Sequence, residues 1–152
     1  MRNPLSTDFV LGFLGAGQLA RMSSLQAFRY GMQVAVFSDR PEDEPVQFMT
    51  PRSYSGSFDD VDSMVPFAKF CDVITLENEF IDSALLSELQ EKSGIPIYPS
   101  PDSFSLIENK LIEKQTFENA GIPVTPYSIV KSQDDLYAVS YTHLTLPTIY
   151  SV

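Results

Sequence analysis

The stretch Phe9-Val-Leu-Gly-Phe-Leu-Gly-Ala-Gly-Gln-Leu-Ala-Arg-Met22 constrains the fold more than any other part of this chain. An apolar run from Phe9 to Leu14 stops at Gly15-Ala16-Gly17, and Leu19, Met22, Leu25 and Phe28 then recur every three residues. This is the pattern of a buried parallel strand, a tight turn and the start of a helix. Gly15 and Gly17 carry no Cβ, so the turn can be sharp and a ligand can come close to the backbone. The first helical N–H groups have no intrahelical partner and the helix dipole adds partial positive charge, so a phosphate is the expected guest. A turn that needs glycine only for close packing would read the same way.

The spacing beyond this stretch predicts an alternating chain. Helix one spans Gln18 to about Tyr30 and stops at Gly31, and Gln33–Phe37 is strand two. Ser38-Asp39-Arg40-Pro41-Glu42-Asp43-Glu44-Pro45 is an acidic loop with two prolines that cannot continue the sheet. Arg52–Ser57 is a short polar candidate strand, followed by a helix over Val61–Phe70, a strand over Val73–Leu76 and a helix with Ser83 as its N-cap and Gly94 as its stop. Ile95–Tyr98 is a last short strand, Pro101–Ala120 reads as one or two helices ending at Gly121, and Val124–Val130 begins a new extended segment. Such alternation predicts an α/β fold: a doubly wound, mainly parallel sheet with a Rossmann-like βαβ start. The expected organisation is a flexible arm at 1–8, a substrate-binding domain at 9–122 and the start of a second domain at 123–138.

Composition removes several function classes. Ten Lys and Arg against twenty Asp and Glu give a net charge of −10, so neither nucleic acid nor an anionic membrane is expected as a partner. No apolar run has the length of a membrane span. Cys71 is the sole cysteine, which suits a reducing, cytoplasmic setting. Any affinity for phosphate must therefore be local.

Four places can carry chemistry. Gly15 and Gly17, with Ala20 in the third position of a dinucleotide fingerprint and Asp39 just past strand two, keep an NAD-type reading open; Asp39 is equally a solvated loop carboxylate. Gln18 stands in the first helical turn, where its amide can donate to a phosphate oxygen or accept from an amine, and Arg21 adds charge there or faces solvent. Thr75-Leu76-Glu77-Asn78-Glu79 closes a strand at the end of the sheet where such folds bind ligands. In extended backbone the two glutamates point to one face about 7 Å apart. Their repulsion is ~2 kcal/mol at an effective dielectric of about 20, which disfavours a pyrophosphate lying beside them. Lys110 and Lys114 lie four apart on a predicted helix, as ligand contacts or as a solvated face.

Taken together, Gly12-Phe-Leu-Gly-Ala-Gly-Gln-Leu-Ala-Arg-Met22, Asp72-Val-Ile-Thr-Leu-Glu-Asn-Glu79, Pro99-Ser-Pro101, Asn109-Lys-Leu-Ile-Glu-Lys114 and Gly121-Ile-Pro-Val-Thr-Pro126 resemble the N-terminal part of the 5-(carboxyamino)imidazole ribonucleotide synthases, the PurK-type ATP-grasp ligases, over about Val10–Leu136. The resemblance implies a pre-ATP-grasp domain that holds a phosphoribosyl substrate, 5-aminoimidazole ribonucleotide. It implies that Gly15, Gly17, Gln18 and Leu19 lie on the substrate phosphate, that Glu77 faces the substrate, and that Lys110 contacts ATP. ATP, magnesium and bicarbonate are the implied cofactor and co-substrates; the magnesium ligands and catalytic residues are expected beyond Ala138, and this part alone is expected to be inactive. The family is often homodimeric. Sister ligases that formylate glycinamide ribonucleotide share the layout. Three departures stand out: Ala20 replaces the usual glycine, Phe80 follows Glu79 where asparagine or histidine is usual, and the ATP-grasp region is absent.

Val139-Ser-Tyr-Thr-His-Leu-Thr-Leu-Pro-Thr148 resembles a translated transposase sequencing adapter, so residues 139–152 are expected to be non-native; the alternative is an ordinary β-strand. No functional role is drawn from His143.

Overall fold

A computed structural model describes residues 2–77 and 81–143. Asn78, Glu79 and Phe80 lie outside the described residues, as do 144–152 of the adapter-like tail. The chain forms two compact units, Met1–Lys110 and Leu111–Val152.

The first unit runs β1 (Val10–Leu14), α1 (Gln18–Arg29), β2 (Gln33–Ser38), a 3-10 turn at Pro41–Asp43, β3 (Ser53–Ser55), α2 (Val61–Phe70), β4 (Val73–Leu76), α3 (Ser83–Ser93), β5 (Ile97–Tyr98) and α4 (Pro101–Ser105). The five strands make one sheet in the order β3-β2-β1-β4-β5 with every described pairing parallel. The order reverses at β1, so β1 and β4 flank the switch point where open α/β sheets form a crevice. Leu14 is level with Phe37 on one side and Leu76 on the other, so the residues that follow β1, β2 and β4 emerge on one rim.

Side chains alternate between the two faces of the sheet, as period two demands. Val10, Leu14, Ala35, Phe37 and Ile74 join Met64 and Phe67 of α2, Leu86 and Leu89 of α3, and Phe104 in one core. Phe13, Val34 and Val36 join Ala16, Ala20, Ala27 and Val46 in the other. The apolar period of helix α1 does not mark its buried face. Its period-three residues Leu19, Met22 and Leu25 are 61%, 56% and 48% exposed, while Ala20, Ser24 and Ala27 are buried. Small residues let the helix axis approach the sheet closely, and the buried Ser24 hydroxyl donates to Ala20 O at 2.6 Å, leaving no unpaired polar group.

Helix starts follow capping chemistry. Asp60 accepts from the N–H groups of Asp62 and Ser63 at the start of α2. At α3 the cap is Asp82, which accepts from Ala84 N–H at 2.7 Å, and not Ser83. Ser83 is inside the helix and donates both its N–H and its hydroxyl to Glu108. Gly31, Gly94 and Gly121 stop their helices with positive φ.

Residues 2–8 are held against the base of the sheet. The Arg2 backbone N–H and guanidinium donate to Asp72 at 2.8 and 2.9 Å, and Val10 N–H donates to the same carboxylate at 2.9 Å. Burial pushes the Asp72 carboxyl up, but the Arg2 and Val10 hydrogen bonds and the Arg2 charge outweigh it and hold the group below the ordinary carboxylate value.

The second unit follows the first residue of α5 (Lys110–Asn119) and contains α6 (Gln133–His143). The segment expected to be extended, 124–130, pairs with no strand among the described residues. Lys114 Nζ donates to Thr125 Oγ1 at 3.0 Å and lies 5.2 Å from the Tyr127 ring centroid. The first five residues of the adapter-like stretch are helical, not a strand, because α6 has a strong start. Ser132 Oγ accepts from Asp135 N–H, and the Asp135 carboxylate accepts from Lys131 N–H.

Candidate functional site

The rim above β1, β2 and β4 carries a cleft of about 160 Å³ that opens to solvent. Gly15 comes from the end of β1, Ser38, Asp39, Arg40 and Glu44 from the end of β2 and its loop, Phe58 from the approach to α2, and Glu77 and Ile81 from beyond β4. Three of these are carboxylates and one is a cation. Ser38 is buried, and its hydroxyl accepts from Arg40 N–H at 3.0 Å, which turns the chain where β2 ends. Asp39 and Arg40 approach at 3.6 Å as an exposed pair, a contact worth little in stability.

The glycine turn meets Glu77 directly. Glu77 N–H donates to Leu14 O at 2.9 Å, fixing the backbone where β4 ends. Its Oε1 accepts from Leu19 N–H, in the first turn of α1, at 3.3 Å. A Cβ on Gly17 would stand 2.5 Å from Glu77 Oε1, and one on Gly15 would stand 2.6 Å from Glu77 Cβ. Gly15 also has φ +103°, which a residue with a Cβ rarely adopts. Both glycines are therefore required, and what they make room for is a carboxylate of this chain. Gly17 itself is the N-cap of α1 and offers no side-chain acceptor, so Glu77, 58 residues beyond Leu19, supplies the acceptor oxygen that a local Asp or Ser would give.

The expected residues distribute as follows. Gly15, Gly17, Leu19 and Glu77 are together at the turn. Gln18 opens α1 beside them with its side chain exposed, and Arg21, a turn further on, is exposed as well. Asp39 lines the same cleft. Lys110 is exposed and opens α5. The second glutamate of the motif, Glu79, lies outside the described residues. The sequence reading missed Ser38, Arg40, Glu44, Phe58 and Ile81 as cleft residues. Position at the carboxyl end of a strand was the available signal for Ser38, Phe58 and Ile81.

Two negative findings limit the chemistry. Among the described residues no group of three or more His, Cys, Asp or Glu is placed to hold a metal ion. Cys71 is buried, and burial first and the neighbouring Asp72 charge second push its thiol up to about 12, so it is no nucleophile near neutral pH.

A family model of the ribonucleotide synthetase preATP-grasp domain matches residues 9–108, which contain the whole sheet and every wall of the cleft. The chain belongs to this family. Relatives agree with the preATP-grasp assignment. An N5-carboxyaminoimidazole ribonucleotide synthase of Staphylococcus aureus (strain MRSA252) is 34% identical over 134 residues, 88% of this chain and 35% of that protein. A phosphoribosylaminoimidazole carboxylase of Ogataea methanolica is 34% identical over 123 residues, 80% of this chain and 23% of that protein. Among solved structures, the N5-carboxyaminoimidazole synthetase of Staphylococcus aureus complexed with ADP matches with a TM-score of 0.75 and 29% identity, covering 90% of this chain and 38% of that one. The Aspergillus clavatus enzyme in complex with ADP and 5-aminoimidazole ribonucleotide matches with a TM-score of 0.72 and 29% identity, covering 89% and 36%. The chain thus spans about a third of the length of the ribonucleotide synthases it matches. These relatives favour the ligase resemblance over a nicotinamide-dependent dehydrogenase.

Proposed function

We propose that this preATP-grasp domain is the substrate-binding front of an ATP-dependent ligase of purine biosynthesis that carboxylates 5-aminoimidazole ribonucleotide. In the proposed reaction bicarbonate takes the γ-phosphoryl group of ATP to give carboxyphosphate and ADP. The substrate amine then attacks the carboxyl carbon and phosphate leaves. Gly15, Gly17, Gln18, Leu19 and Glu77 are assigned to the substrate and Lys110 to ATP. Lysine keeps the positive charge but lacks the planar fork of arginine, so it would act as a point charge on phosphate. Magnesium, whose ligands are expected beyond Ala138, would neutralise the charge of the nucleotide phosphates. The expected setting is cytoplasmic, the expected parent a homodimer, and this chain alone is expected to bind without turnover.

The observation that carries the reading is the Glu77 carboxylate seated in the Gly15–Gly17 turn, at the wall of a cleft at the switch point of the sheet. An amine or hydroxyl donor is the natural partner for such a group, and a phosphoribosyl amine offers both. Calorimetric titration of the chain with 5-aminoimidazole ribonucleotide, and separately with NADH, tests this. Heat of binding with the ribonucleotide and none with NADH is expected; tight NADH binding with no response to the ribonucleotide would overturn it.

A further inference from the structure

We propose that Glu108 is a positioning residue for Lys110: its carboxylate clasps the start of α3 and so holds Lys110 at a fixed place relative to the cleft. The proposal rests on the reading that gives the cleft to the ribonucleotide and Lys110 to ATP. Ser83 N–H donates to Glu108 Oε2 at 2.9 Å and the Ser83 hydroxyl donates to Oε1 at 3.1 Å, so one residue engages both carboxylate oxygens. Ser83 follows closely on Ile81, a buried residue of the cleft wall, and Glu108 stands just before Lys110. A two-point contact between residues 25 apart therefore joins the segment that lines the cleft to the segment that carries the cation.

Capping alone does not explain this contact. Helix α3 already has its cap, because Asp82 accepts from Ala84 N–H at 2.7 Å. Glu108 is half-buried, and two charge-assisted bonds to one residue fix its orientation where a single bond would leave it free to swivel. The chain that leads to Lys110 needs such a hold. Phe104 is buried in the core, and the N–H groups of Ile107 and Glu108 donate to Phe104 O at 2.9 and 3.0 Å. Past Phe104, Leu106 and Ile107 are exposed, so apolar packing does not fix the approach to Lys110. A lysine is a point charge on a flexible stem, so its charge reaches a defined spot only if its backbone is held. Ordering that backbone beforehand also lowers the entropy lost when a nucleotide binds.

The test measures backbone order by amide relaxation in the isotope-labelled full chain, with far-UV circular dichroism as the check on folding. In the parent the Lys110 amide should be as ordered as α3, with an order parameter of about 0.85; in Glu108→Ala it should fall below about 0.6. The first turn of α3, still capped by Asp82, should keep its order. Glu108→Gln retains an acceptor for Ser83 N–H and should restore most of the order at Lys110, and Ser83→Ala, which deletes one of the two bonds, should lie between. An unchanged Lys110 in a folded Glu108→Ala overturns the proposal. So does a loss of order confined to the first turn of α3, which would make Glu108 a cap and nothing more. Should Glu108→Ala fail to fold, Ser83→Ala decides, and order at Lys110 equal to the parent's then overturns the proposal. In the calorimetric titration Glu108→Ala should bind the ribonucleotide within about twofold of the parent, whereas a loss of about tenfold would put its effect on the cleft and overturn the proposal. If the parent binds no ribonucleotide the functional reading fails, and order at Lys110 still decides whether Glu108 holds it.

Discussion

One strand, β4, is bounded by two carboxylates with opposite careers. Asp72 precedes it at the base of the sheet, is 6% exposed, and accepts from the N–H groups of Arg2 and Val10 and from the Arg2 guanidinium. Glu77 follows it at the rim, is half-buried, and reaches a helix N–H at 3.3 Å across a solvent-open cleft. The first is closed off by short bonds and ties the N-terminal arm to the core. The second is held where a ligand can reach it. In a parallel α/β sheet the base is free to be optimised for stability, whereas the rim must leave polar groups accessible, and here both rules are written on the two ends of four residues.

The largest effect should come from the base. Replacing Asp72 with Ala takes the acceptor from the Val10 and Arg2 backbone N–H groups and one partner from the Arg2 guanidinium, and the loss should be about 2–3 kcal/mol of unfolding free energy. Urea denaturation followed by circular dichroism measures it. A loss under about 0.5 kcal/mol would mean that the arm contributes nothing and that the two ends of β4 are alike.

The pH dependence sharpens the same contrast. The folded Asp72 carboxyl titrates below its unfolded value, so its contribution is full above the unfolded pKa of about 3.9 and is lost as pH falls through the lower, folded pKa. The stability difference between the parent and Asp72→Asn should therefore be constant from neutral pH down to about 5 and shrink in more acidic solution. Denaturation midpoints across that range check it, and a difference that grows on acidification would contradict the assignment.

How much of this was legible beforehand follows from the range of each interaction. The β1–turn–α1–β2 unit was readable because Phe9–Leu14, the glycines and Gln33–Phe37 encode it within 30 residues of chain. Parallel topology then placed Glu77 on the rim beside the turn without coordinates. The buried face of α1 was not legible, since Leu19, Met22 and Leu25 have the helical period but the sheet selects Ala20, Ser24 and Ala27 for close approach. The Asp72–Arg2 tie joins residues 70 apart, and no local pattern announces it. The cap of α3 was displaced by one residue because Ser83 and Asp82 are both good caps, and the distant Glu108 claims the serine. The most consequential omission was the occupant of the glycine turn. Glycines announce that something comes close to the backbone; they do not say that the visitor is a side chain of the same protein.

At the rim, Gly15→Ala should have an intermediate effect. The φ of +103° and a new Cβ 2.6 Å from Glu77 Cβ act together, and about 1–2 kcal/mol of stability should be lost. Glu77 would also be pushed off Leu19 N–H, so amide exchange at Leu19 should speed up more than in the strands. If exchange at Leu19 is unchanged while global stability falls, the glycine matters for the turn alone and not for seating the carboxylate.

The smallest effect on stability should come from Glu77→Gln, and it is the one that most directly separates the two ends of β4. Glutamine keeps the shape and an acceptor oxygen, and removes a charge that interacts with the α1 dipole in a half-exposed setting, so the unfolding free energy should change by about 0.3–1 kcal/mol. Asp72→Asn makes the same chemical change in a buried setting, where the carboxylate serves three donors, and should cost more. The paired measurement needs only two urea curves at neutral pH. A Glu77→Gln loss equal to that of Asp72→Asn would assign both carboxylates to holding the fold, and selection of a ligand at the rim would then have to come from other cleft residues such as Asp39 and Arg40.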